Sequence, residues 1–217
     1  MSEAYESQPL PSVAMLGVGS MGGAILAGLR APGVAIEGPI VVTTRSAASA
    51  EAYAGASDVV AHANEADPEA NRKAVHGARV VILAVKPWMI HDVLTEISAD
   101  LAPGTVLVSV AAGVTTESME KLVPADVAVV RAMPNTPSTV GLGVTGVAGG
   151  TSAGDETVEL VRRIFETVGE AIVVREDQIN AVAAVSGSGP AYLFLYVEEM
   201  TAAARRLGFD EDQARLL

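Results

Sequence analysis

The 217-residue chain contains no cysteine, which excludes disulfides, thiolate metal sites, iron–sulfur clusters and a cysteine nucleophile together. Aromatic residues make up 4% of it and charged residues 18%, while half is apolar, a balance that suits packed helices and buried strands rather than disorder. Basic residues are also few: 14 Lys and Arg against 26 Asp and Glu leave a formal charge of −12, so no nucleic-acid partner is expected. Long hydrophobic runs are missing too. Mean hydropathy is +0.37, yet the longest strongly apolar run, residues 80–85, is far short of the ~20 residues a spanning helix requires, so no membrane partner is expected. Residues 1–11 contain Glu3 and Glu6 but neither a basic residue nor the apolar stretch of a leader, which predicts a flexible tail on a cytoplasmic protein. The three histidines, His62, His76 and His91, are not paired as zinc ligands are, and no metal is expected.

What remains is a run of short apolar segments. Residues 12–16 predict a buried strand that enters Gly17-Val18-Gly19-Ser20-Met21-Gly22, followed by a small-residue helix over 23–29. Strands are then expected at 40–44, 59–61, 80–85, 106–110 and 127–130, separated by helices at 47–53, 67–75, 89–101 and 118–122, the last capped around Thr115 and Thr116. Continuous Val, Ile and Leu strands between helices predict an α/β fold with a Rossmann-type, doubly wound, mostly parallel sheet. Beyond the proline-stiffened Met133-Pro134-Asn135-Thr136-Pro137, an edge strand is expected at 144–148, a surface helix at 155–168 and a last strand at 171–174. A helix over 177–185 is expected to break at Ser186-Gly187-Ser188-Gly189-Pro190 before a long helix over 191–207, with Ser188 as cap and Pro190 in the first turn. That helix carries Leu193, Val197, Met200, Ala204 and Leu207 on one face and Tyr192, Phe194, Leu195 and Tyr196 elsewhere, and so predicts partners. Another helical pattern begins at Glu211.

Gly17, Gly19 and Gly22 have the spacing of the dinucleotide fingerprint, with a strand before them and a helix after. A glycine-rich turn is the plainer alternative, but the strand-to-helix context is the one the fingerprint requires. At the end of the second strand, Thr44, Arg45 and Ser46 stand where an acid would bind a ribose 2′-hydroxyl, and Arg45 offers a forked donor for a 2′-phosphate. NADP is therefore expected, with NADPH preferred over NADH; a solvated Arg at a strand end is the competing reading. Ala84, Val85, Lys86 and Pro87 end the fourth strand, Ala111, Ala112 and Gly113 follow the fifth, and Asn135 and Thr136 follow the sixth. The carboxyl ends of parallel strands are where ligands bind in such sheets, and these positions are cofactor-site candidates.

Together these segments resemble one family. Gly-Val-Gly-Ser-Met-Gly at 17–22, Ala-Val-Lys-Pro at 84–87, Ser-Val-Ala-Ala-Gly-Val at 109–114, Arg-Ala-Met-Pro-Asn-Thr-Pro at 131–137 and Val-Ser-Gly-Ser-Gly-Pro-Ala-Tyr at 185–192 look like pyrroline-5-carboxylate reductases in order and spacing. The resemblance runs over about residues 13–217. It implies NADPH-dependent hydride transfer to the C=N bond of 1-pyrroline-5-carboxylate, giving L-proline in the last step of proline biosynthesis, by a homodimer or higher homo-oligomer. It adds Ser20 and Met21 to the cofactor candidates, with Asn64 as the adenosine-ribose contact behind a charged insertion over 67–73. The family continues through further helices to a Ser-Pro-Gly-Gly-Thr loop that contacts substrate. This sequence has no counterpart to it, which predicts an incomplete helical dimerisation and substrate domain over 176–217 after an NADP-binding domain over 12–175.

Ser186, Gly187 and Ser188 are expected to hold substrate, since N–H groups at a helix start suit a carboxylate. Hydride chemistry belongs to the cofactor, so positioning should dominate, and catalytic side chains are left unassigned. Two rival readings remain. A 3-hydroxyacid-type dehydrogenase would place a catalytic lysine on the long helix, and residues 191–207 contain none; a non-catalytic NADP-binding or assembly module would fit the short carboxy-terminus.

Overall fold

In the computed structural model, which describes residues 8–217, strand and helix alternate along the chain. The first half runs β1 (Val13–Leu16), α1 (Ser20–Leu29), β2 (Ile40–Thr44), α2 (Ala47–Glu51), β3 (Val59–Ala63), α3 (Ala70–Val75), β4 (Val80–Leu83), α4 (Ile90–Ile97) and β5 (Val106–Ser109). It continues through α5 (Thr116–Glu120), β6 (Ala128–Met133), β7 (Gly143–Gly149), α6 (Asp155–Glu166) and β8 (Gly169–Val173). From Ile179 the chain is helical: α7 (Ile179–Val182), a π-turn over Ala183–Gly187, α8 (Gly189–Arg206) and α9 (Glu211–Leu216).

All eight strands form one sheet in the order β3-β2-β1-β4-β5-β6-β7-β8. The first six are mutually parallel, whereas β7 runs antiparallel to β6 and β8 parallel to β7. Residues 134–142 cause the reversal: a parallel crossover needs about a dozen residues or more, and this connection is shorter, closing on a 3-10 turn over Thr136–Val140 that ends at Gly141 with φ 72°. One expectation is corrected here. The strand read at 144–148 as an edge is internal and β8 is the edge, because α6 returns the chain to pair outside β7.

The central strands β1, β4 and β5 are buried along their whole length because both sheet faces are covered there. On β4, Val80 and Ile82 join a core with Ile25, Leu29 and Phe165, while Val81 and Leu83 join a second with Leu94, Ile97 and Met119. On α4, Ile90, Val93, Leu94 and Ile97 recur at i, i+3, i+4 and i+7, which puts all four on the buried stripe. The tail expected over 1–11 lies outside the described residues as far as residue 7, and its far end is not free. Leu10 is 4% exposed, bridges to Ile36 and closes backbone bonds with Ala35 and Glu37, because its side chain covers one end of the first core.

The expected break at 186–190 is also corrected. Ser188 stays right-handed helical (φ −87°, ψ −27°), and it accepts no capping bond; its hydroxyl donates to the Ala183 carbonyl at 3.4 Å and its N–H to the same oxygen at 2.9 Å. One wide turn thus carries the helix through, with Pro190 in the first turn of α8. Along α8, Tyr192, Leu193, Phe194, Leu195, Tyr196 and Val197 are all more than half exposed. No helix among the described residues is long and apolar enough to cross a membrane.

Candidate active site

The carboxyl ends of β1, β2, β4, β5 and β6 face one edge of the sheet. Strand order reverses between β1 and β4, so the loops after them part and leave a crevice there. The three glycines of the first loop do three different things. Gly17 takes φ 94° and donates its N–H to Thr43 O at 3.1 Å, which makes the turn. Gly22 packs so closely that a Cβ would lie 2.2 Å from Gly17 O. At Gly19 a Cβ would meet nothing within 4 Å, so the open space lies over this residue. Ser20 begins α1 exposed, Met21 packs on the first core, and the helix start has neither a side-chain cap nor an acid in its first turn. Uncapped N–H groups beside open space fit a pyrophosphate, whose charge the helix dipole favours.

Of the donors expected after β2, only Arg45 is available. Thr44 is buried (3% exposed) and donates its hydroxyl to Ser46 O at 2.8 Å, while Ser46 caps α2 by accepting from Ser49 N–H at 3.3 Å. The Thr44 hydroxyl is thus used inside the tight strand-to-helix turn, whereas that of Ser46 serves the turn as an acceptor. Asn64 sits beside this turn, its N–H donating to Thr44 O at 2.9 Å and its buried Oδ1 unpartnered, an acceptor suited to a ribose hydroxyl. It borders an open recess of about 310 Å3 shared with Met89, Asp92 and Val93. The insertion over 67–73 is neutralised by Lys73–Asp67 at 2.6 Å and by Arg72 with Glu69 and Asp100 at 2.8 and 2.7 Å.

Lys86 is exposed at the crevice rim; Ala84, Val85 and Pro87 are half-buried beneath it. After β5, Ala112 and Gly113 are exposed, but Ala111 is 6% exposed and turned into the second core, so only its backbone is available. Thr136 is exposed. Asn135 is not a free donor pair: its Oδ1 accepts from Val144 N–H at 2.8 Å and its Nδ2 donates to Ser186 O at 2.9 Å, so it ties β7 and the π-turn to the end of β6. Ser186 and Ser188 donate their hydroxyls to Val182 O (2.9 Å) and Ala183 O (3.4 Å), and Gly187 lies over Met133. The π-turn is therefore tied to the carboxyl end of β6, but without the free helix-start N–H groups expected for a carboxylate.

Sequence reasoning missed a second tie. Arg131 leaves β6 on the same face as Met133, 4% exposed, and its Nη1 donates to Glu176 Oε1 at 3.2 Å. Glu176 also accepts from Thr116 N–H at 2.6 Å and Thr116 Oγ1 at 2.5 Å. Burial pushes the Glu176 carboxyl up, but the bonds from Thr116 and from Arg131 with its charge outweigh it, so the group lies below the usual carboxylate range. An arginine in an otherwise apolar strand was the one signal in the sequence; its partner is 45 residues away.

A family profile described as NADP oxidoreductase coenzyme F420-dependent matches residues 12–113, and one described as pyrroline-5-carboxylate reductase dimerisation matches residues 176–217. The pyrroline-5-carboxylate reductase of Escherichia coli (strain K12) is 37% identical over 202 residues, 93% of this chain and 73% of that protein. That of Mycobacterium tuberculosis (strain ATCC 25618 / H37Rv) is 37% identical over 208 residues, 93% of this chain and 68% of that protein. The structure of a pyrroline-5-carboxylate reductase from Coxiella burnetii superposes with a TM-score of 0.83 at 37% identity, covering 95% of this chain and 75% of that one. Plasmodium falciparum pyrroline carboxylate reductase with NADP bound shares the fold, with a TM-score of 0.79 at 23% identity over 94% of this chain and 72% of that one.

Proposed function

The chain belongs to the pyrroline-5-carboxylate reductase family, and from that premise we propose that it reduces 1-pyrroline-5-carboxylate to L-proline with NADPH. The observation that carries the cofactor half of this reading is the uncapped, acid-free start of α1 beneath the open face of Gly19, at the point where strand order reverses. A bound reduced nicotinamide would supply a hydride to the ring carbon of the C=N bond, and a proton on nitrogen completes the amine.

The chain's own residues would bind and orient. Gly17, Gly19 and Gly22 with Ser20 and Met21 would hold the pyrophosphate, Arg45 and Asn64 the adenosine ribose, and the backbone of Ala84 to Pro87 and of Ala111 to Gly113 the path toward the ring. Thr136 and the π-turn at Ser186, Gly187 and Ser188 would close the crevice on the substrate side, held by Asn135. NADPH preference over NADH rests on Arg45, exposed and without an ion-pair partner among the described residues. We place the NADP-binding unit at 12–175 and the helical unit at 176–217, since every element after β8 is helical. A homodimer or larger homo-oligomer through α8, supported by the exposed apolar ring at 192–197, completes the reading, with the cytoplasm as the proposed location.

The test is imine-dependent loss of NADPH absorbance with the full chain and 1-pyrroline-5-carboxylate, the proline formed being quantified. Turnover to proline is expected; NADPH binding with no imine-dependent oxidation would refute the reductase reading. Leu195→Glu should lower the sedimentation mass if α8 forms the interface; an unchanged mass would refute that part.

A further inference from the structure

We propose that Glu65 is a specificity-determining residue for the dinucleotide, opposing the 2′-phosphate that Arg45 attracts; this rests on the cofactor reading above. The turn after β2 has no acid of its own, but the fold brings one in from the end of β3. Those strands are in parallel register, Thr44 beside Ala63, so the residues following them run side by side. Glu65 N–H donates to Arg45 O at 3.1 Å, and Glu65 Oε1 accepts from Ala47 N–H at 2.6 Å. One carboxylate is thereby held across the Arg45-Ser46-Ala47 turn, with both its backbone and its side chain anchored.

The other groups of the turn sharpen the effect. The Thr44 hydroxyl is donated within the turn, that of Ser46 accepts from Ser49 N–H, and the Ala47 N–H is engaged by Glu65 itself. Arg45 remains as the cation and Glu65 as the anion, and no ion pair joins them among the described residues. A ribose 2′-phosphate carries about −1.5 to −2 charges and is repelled by Glu65, whereas a 2′-hydroxyl can donate to it. The two side chains therefore push cofactor choice in opposite directions. Sequence spacing conceals this, because the acid expected at the end of β2 is supplied by the neighbouring strand.

The experiment titrates NADPH and NADH separately into the full chain and into Glu65→Gln, Glu65→Ala and Arg45→Ala, and compares Kd(NADH)/Kd(NADPH). Gln retains an oxygen for the Ala47 N–H, and Glu65 is exposed, so both Glu65 variants should fold, which thermal unfolding checks. Loss of one like charge from the turn that carries Arg45 should raise the ratio by about fivefold or more in Glu65→Gln, with Glu65→Ala moving the same way and Arg45→Ala moving oppositely. A capping role alone would change thermal stability or move both constants together; a ratio unchanged in both Glu65 variants overturns the inference while leaving the cofactor reading intact. If the unaltered chain binds neither dinucleotide, the cofactor reading fails and the inference falls with it.

Discussion

Replacing Glu176 with Ala removes the one carboxylate that Arg131 faces among the described residues and leaves three donors stranded at the junction of β6, α5 and the helical segment. The Arg131 side chain is 5% exposed, and Glu176 is its ion-pair partner at 3.2 Å. The N–H and hydroxyl of Thr116 lose their acceptors in the same step. Removing one member of a buried pair costs about 3–5 kcal/mol; the Glu176 side chain is 29% exposed, so water can reach part of the gap, and about 2–3 kcal/mol is expected. At about 2–4 °C per kcal/mol for a chain of this size, Tm should fall by about 4–12 °C near neutral pH. The assay is thermal unfolding by circular dichroism at fixed protein concentration, because assembly makes Tm concentration-dependent. The sign with pH follows from the depressed Glu176 carboxyl. Its contribution is present above the unfolded value of about 4.3 and is lost as pH falls through the folded value, so the gap between wild type and Glu176→Ala should narrow on acidification. A fall of less than about 1 °C at neutral pH, or a gap as wide at about pH 3, would refute the assignment of this pair as the tie.

Gly19→Ala should leave Tm within about 1–2 °C of wild type yet weaken NADPH binding about tenfold or more, since the added methyl meets no protein atom and projects where a pyrophosphate would approach. Gly22→Ala should instead lower Tm, because its Cβ would sit 2.2 Å from Gly17 O; equal thermal behaviour of the two variants would refute the division of roles. Asn135→Ala strands Val144 N–H and Ser186 O, which should cost about 2 kcal/mol and raise KM for the imine more than for NADPH, measured by steady-state kinetics; parallel changes in both KM values would count against a role in seating the π-turn.

Much of the architecture was legible from local chemistry. β2 was read residue for residue at 40–44, because Pro39 precedes it and the apolar run gives way at Arg45. The glycine loop, the α/β alternation and the apolar excess of α8 were legible for the same reason: turns, periodicity and exposed apolar surface are properties of a few neighbouring residues. Side-chain roles at the crevice were less so. Thr44, Ala111 and Asn135 were expected to face a ligand, and the side chain of each is engaged inside the fold, since residue type shows what a group can bond to but not which partner lies nearer. The expected break at Ser188 failed similarly: a single π-turn lets Asn135 reach Ser186 O without ending the helix.

The sequence by itself determined the class of fold, the glycine turn between β1 and α1 and the family, all of which depend on residues close together in the chain or on the order of short motifs. Only the tertiary structure decided that β7 lies inside the sheet, that Arg131 meets Glu176, and that Glu65 stands beside Arg45. The reason is physical: such pairings depend on which strands become neighbours and in what register, and a charge acts on whatever group the fold sets within a few ångströms of it, whatever their separation along the chain.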